Sequence, residues 1–192
     1  VATRTFYTSG SSGPAPILNA ILGGYGYHSG TCLPETIRSV STMNNEQWFS
    51  RIWVPPGNPI TKVGSFAIRT AGVVGAGGLN GFAIYSDDGT LLWSSATDNA
   101  LWTVAGERTK PVTPSIAAQP TGTWYRVAMS VQGYSTPPGT IYANLGDAAV
   151  LSDLCSYRAR YRGTSATTWP ASINPATDLA TTSGYMVPLY LG

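Results

Sequence analysis

Gly81-Phe-Ala-Ile-Tyr-Ser-Asp-Asp-Gly-Thr-Leu-Leu-Trp-Ser-Ser95 consists of two apolar and aromatic runs joined by Asp88-Gly89. An Asp-Gly pair supplies the backbone angles that a tight hairpin turn requires, so the stretch predicts two antiparallel strands. Further along, Tyr125-Arg-Val-Ala-Met-Ser-Val131 is apolar at Tyr125, Val127, Met129 and Val131. Strand side chains point alternately to opposite faces, so one face of this segment is expected to be buried, with Arg126 and Ser130 pointing away. A half-wet antiparallel sheet fits that pattern.

The same short runs, separated by Gly, Pro, Asn and Asp, recur from Trp48 onward. They predict strands at 48–54, 60–70, 81–86, 90–95, 124–132, 155–162 and 185–191, the signature of an all-β antiparallel sandwich or barrel. Composition agrees. Only 10% of the 192 residues are charged, against about 25% in an average domain, while 22 Gly and 14 Pro disfavour helical bundles. Seventeen Tyr or Trp residues (11 and 6) mark an ordered chain rather than a disordered one. Helix signals are confined to 34–43, where Pro34 and Glu35 open a segment with Ile37, Val40 and Met43 at spacing three, and to 147–154. Residues 1–47 are turn-rich around Ile17, Leu18, Ile21 and Leu22 and read as an irregular N-terminal arm; residues 48–192 read as the β domain.

A net charge of +2 is too small to drive binding to DNA or RNA, so no nucleic-acid partner is expected. No stretch approaches the roughly 18 apolar residues of a membrane span, and no membrane partner is expected either. Val1 opens no charged-then-apolar signal pattern, and the absent initiator Met implies either its removal or a cut from something longer. Cys32 and Cys155 either form one bridge, closing a loop of 124 residues, or remain two buried thiols. The bridge would add up to about 5 kcal/mol. With only His28 to join them, a zinc site is not expected, and no cofactor is.

Catalytic signatures are missing. His28 lies in the loop Gly23-Gly-Tyr-Gly-Tyr-His-Ser-Gly30, outside any strand-turn-helix nucleophile elbow. The nine carboxylates are scattered through turn-rich segments, and Asp87 and Asp88 are explained by the hairpin. Gly75-Ala-Gly-Gly-Leu-Asn-Gly81 has Asn80 where a dinucleotide loop needs glycine, and a strand follows it. Two recognition features remain. Arg158, Arg160 and Arg162 share one face of a strand, either as a solvated outer face or as a contact for an anionic glycan or an acidic patch on a neighbouring subunit. Tyr25, Tyr27 and His28, with Tyr134 and Trp169 in other turn-rich segments, are candidate glycan-binding residues, because stiff amphipathic rings stack on sugar faces.

From Trp48 to the C-terminus the motif order resembles the β-sandwich modules of tail, fibre and head-surface proteins of tailed bacteriophages. The resembling pieces are FSRIWVP at 49–55, the hairpin at 81–93, ALWT at 100–103, GTWYRVA at 122–128, Trp169-Pro170, and GYMVPLY at 184–190. This resemblance implies a jelly-roll sandwich acting as a virion decoration or adhesin, commonly trimeric, with none of its motifs catalytic. The expected function is a non-enzymatic virion-surface protein that adheres to a host-surface polysaccharide and contacts other virion subunits. A decoration protein touching only virion subunits, or a polysaccharide-degrading enzyme, are the alternatives. The arm would dock on the particle, burying Ile17, Leu18, Ile21 and Leu22 there.

Overall fold

The computed structural model describes residues 27–28, 37–41, 46–75, 77–144, 159–162, 166–181, 185–186 and 189–192. In chain order the strands begin β1 (Tyr27–His28), β2 (Ile37–Ser41), β3 (Glu46–Val54), β4 (Ile60–Thr70), β5 (Val73–Val74), β6 (Gly81–Ser86) and β7 (Leu91–Ser94). They continue β8 (Gly106–Ile116), β9 (Thr123–Val131), β10 (Tyr134–Thr136), β11 (Gly139–Asn144) and β12 (Ala159–Arg162). The last are β13 (Leu179–Thr181), β14 (Tyr185–Met186) and β15 (Leu189–Leu191), and one 3-10 turn spans Asn99–Trp102. Asp98 starts that turn by accepting a hydrogen bond from the Ala100 amide at 2.9 Å.

All of the described strand pairs are antiparallel, and they form an all-β sandwich. One layer is a six-stranded sheet in the order β13-β12-β3-β9-β6-β7. The other has seven strands along the path β1-β15-β4-β11-β14, with β8 beside β4 and β2 beside β11; β5 and β10 form a separate two-stranded ribbon. Period-two alternation builds the interior. Trp48, Ile52 and Val54 of β3, Phe82 and Ile84 of β6, and Tyr125, Val127, Met129 and Val131 of β9 meet Ile60, Val63, Val112, Leu189 and Leu191 from the facing sheet. Trp102, delivered by the 3-10 turn, lies edge-on to Phe82 at 5.5 Å and is fully buried.

Several strands agree closely with the pattern in the sequence. β4 and β6 carry the expected bounds, and β3 and β9 differ from them by one or two residues. The Asp88-Gly89 turn is present: the Gly89 amide donates to the Ser86 carbonyl at 3.0 Å, and the Ser86 amide to Thr90 at 2.9 Å. Where a helix is expected over 34–43, the described residues 37–41 are not helical. Ile37–Ser41 is a strand paired along its length with β11, a long-range partner that local spacing does not reveal. β1 and β2 both lie within residues 1–47, the segment read as an arm, yet they are strands of the seven-stranded sheet. The candidate helix at 147–154 falls outside the described residues, as do Ile17, Leu18, Ile21, Leu22, Cys32 and Cys155.

The half-wet sheet needs correction. The outer face of the six-stranded sheet carries a second apolar cluster, in which Phe49, Ala83, Tyr85 and Ala128 lie beneath Trp169, Ile173 and Leu179, together with the buried Leu79. Ser130 is fully buried rather than turned to water. Residues 166–181 are stitched down by the Leu91 amide donating to Ala171, the Ile173 amide to Gly89, and the Tyr85 hydroxyl to Pro170.

Candidate functional site

The cover of residues 166–181 reaches only one end of that outer face. Beyond it, β3 presents Arg51 and Trp53 while β9 presents Trp124 and Arg126, and the antiparallel register sets Arg51 opposite Arg126 and Trp53 opposite Trp124. The β6–β7 turn brings Asp87 over the two arginines. Arg51 grips its carboxylate in a fork, Nε donating to Oδ1 at 2.7 Å and Nη2 to Oδ2. Arg126 Nε donates to the Asp87 carbonyl at 2.9 Å, and its Nη2 lies 3.3 Å from Oδ1.

Two guanidinium groups therefore share one carboxylate, leaving an excess of one positive charge. Burial pushes the Arg126 pKa down, the Asp87 carboxylate opposes that shift and the neighbouring Arg51 adds to it. Arginine starts so high on the pH scale that the group stays charged. The Arg51 guanidinium lies over the Trp124 ring at 4.5 Å from its centroid, a cation–π contact. Trp53 and Trp124 meet edge to face at 5.3 Å. Gly122 sits so close to Trp53 that a Cβ there would fall 2.0 Å from the ring, which makes glycine a packing requirement. Trp53 Nε1 is buried and has no hydrogen-bond partner.

Chemically, this is a half-exposed aromatic and cationic platform on rigid strands. Indole faces and edges pack on the C–H faces of sugars, and guanidinium N–H groups donate to hydroxyls and carboxylates. Asp87 is engaged by both arginines, so its charge holds the cluster together.

A second concavity lies between the edge strands β7 and β8, an open groove of about 520 Å³ lined by Trp93, Ser95, Asp98, Lys110 and Thr113 among others. Its charges are paired, Lys110 Nζ donating to Asp98, and that bond is the main reason the Asp98 carboxyl titrates below its usual range. Trp93 Nε1 donates to the Thr113 carbonyl at 3.3 Å. Among the described residues, no three His, Cys, Asp or Glu side chains converge as a metal ion would require.

The described residues among those singled out in the sequence fall elsewhere. Trp169 is 8% exposed and forms part of the outer cluster, where it packs on the sheet. Tyr134 is half-buried against the inner core. Tyr27 and His28 pair through their backbones with Leu191 and Tyr190, and Tyr25 lies outside the described residues. Arg160 and Arg162 stand in β12 opposite Trp48 and the buried Glu46, while Arg158 is outside the described residues.

The platform itself was missed, although the sequence holds a signal for it. Arg-x-Trp at 51–53 and Trp-x-Arg at 124–126 are mirror images, and antiparallel pairing is the arrangement that lays like on like. No protein-family model, characterised protein or solved structure matches the chain.

Proposed function

We propose that this chain is a non-enzymatic recognition module of a virion surface, a sandwich that binds a host-surface glycan at the Arg51, Trp53, Trp124 and Arg126 platform. The observation that carries the binding half is the pairing of two tryptophans with two arginines on neighbouring central strands, at the end of a sheet face that the chain covers elsewhere. Aromatic side chains that lie together at the surface, rather than singly, mark interaction sites. The particle setting, the jelly-roll topology, the trimer and the contacts with other virion subunits rest on the motif resemblance described above.

The test is a binding assay on host capsule and other surface polysaccharides, with Trp53→Ala and Trp124→Ala as probes. The wild-type chain is expected to bind at least one such polymer, and each variant to lose about tenfold or more, the scale of one stacking aromatic. Reducing ends are followed in the same samples and are expected to stay constant. Absence of binding to any host polymer refutes the adhesive reading, and release of new reducing ends refutes the non-enzymatic one.

A further inference from the structure

Resting on that glycan reading, we infer that the sugar taken by the platform is acidic, a carboxylate-bearing unit of the uronic acid type whose charge is met by Arg51 and Arg126. The charge count favours an anion: two guanidinium groups face a single carboxylate, and their side chains are 25% and 15% exposed, so water screens the excess charge incompletely. The donor count leaves room for one. Asp87 takes Nε and one Nη2 hydrogen of Arg51, and Nε and Nη2 of Arg126 are directed at its carbonyl and carboxylate. The Nη1 groups of both arginines make no hydrogen bond to Asp87 and form the remaining edge of each planar fork.

That edge has the geometry for a second carboxylate, the same chemistry the cluster already holds in Asp87. The tryptophans supply the other half of the specificity. Trp124 carries Arg51 on its ring, so a sugar seated against the Trp53–Trp124 pair brings a ring carboxylate within reach of the guanidinium. Asp87 then has two roles: it positions the arginines, and it competes with the incoming anion for them.

The experiment is a calorimetric or fluorescence titration of the intact chain with oligogalacturonate and with the same oligomer after chemical reduction of its carboxyl groups. The acidic form is expected to bind about tenfold or more tightly than the reduced form, the scale of one charge-assisted fork, and to weaken as ionic strength rises. Arg51→Gln is expected to abolish this preference, bringing the affinities for the two forms together. Asp87→Asn removes the competing carboxylate and is expected to raise the ratio of acidic to reduced binding, and thermal unfolding of each variant verifies that it is folded. Equal binding of the two forms overturns the inference and leaves the glycan reading standing. If neither form binds and host polysaccharides fail as well, the glycan reading falls and this inference with it.

Discussion

At one end of the outer face of the six-stranded sheet, Phe49, Tyr85 and Ala128 lie beneath Trp169, Ile173 and Leu179. Two residues further along the same strands, Arg51, Trp53, Trp124 and Arg126 lie outside that cluster, and the two arginines converge on Asp87. Backbone, pleat and register are continuous between the ends, so strand geometry does not account for their different characters. Cover does: where residues 166–181 lie over the sheet, aromatic rings serve as core, and where they do not, rings of the same type remain half-exposed beside charge. An aromatic residue in a β protein is thus assigned a role by what lies over it, not by its composition class.

Removing the cover is the most forceful way to break this comparison. Trp169→Ala deletes a buried indole from the outer cluster and is expected to cost about 3–5 kcal/mol of unfolding free energy, measured by denaturant titration. A loss under about 1 kcal/mol would mean that the segment only rests on the sheet.

The hairpin turn tests the same docking from the other side. Gly89 has φ +97°, and a Cβ there would lie 2.0 Å from the Ile173 carbonyl oxygen. Gly89→Ala combines a strained backbone with a clash against the cover, and about 2–4 kcal/mol is expected.

At the open end the order of effects reverses. Trp124→Ala removes one cation–π and one edge-to-face contact and is expected to cost only about 1–2 kcal/mol of stability, while ligand binding falls by about tenfold or more. Were Trp124→Ala as destabilising as Trp169→Ala, the two ends would be equivalent core and the comparison would fail.

The smallest expected effect is away from both ends. The Asp98 carboxyl is held below its ordinary pKa, chiefly by the hydrogen bond from Lys110. A depressed folded-state pKa contributes stability above the unfolded value of about 3.9, and the contribution is lost as pH falls through the folded value. Lys110→Met is therefore expected to reduce stability slightly at pH 6 and to converge with wild type in the acid limb, as followed by Tm against pH. The pair is about one-third exposed, so the difference is small.

The layers of the fold were legible wherever local pattern and tertiary pairing agree. The alternation in β9 and the Asp88-Gly89 turn are both local signals, and both point to the structure that forms. β8 was not legible because Pro111 and Pro114 interrupt its strand pattern. It tolerates them because β4 is its only partner among the described strands, which leaves its other edge without a ladder. β2 resembled a helix because Ile37 and Val40 are three apart, and only its pairing with β11 decides otherwise. The candidate site was least legible. Arg126 was recognised as pointing away from the core, but its partners Arg51 and Asp87 are 75 and 39 residues distant, and no local rule joins them.

The six tryptophans allow one direct measurement of the central claim, because each indole N–H gives its own NMR signal. On titration with a host-surface polysaccharide that binds, the signals of Trp53 and Trp124 are expected to shift together and saturate, while those of Trp102 and Trp169 stay in place. Shifts centred on Trp169 or on Trp93, with Trp53 and Trp124 unmoved, would contradict the account.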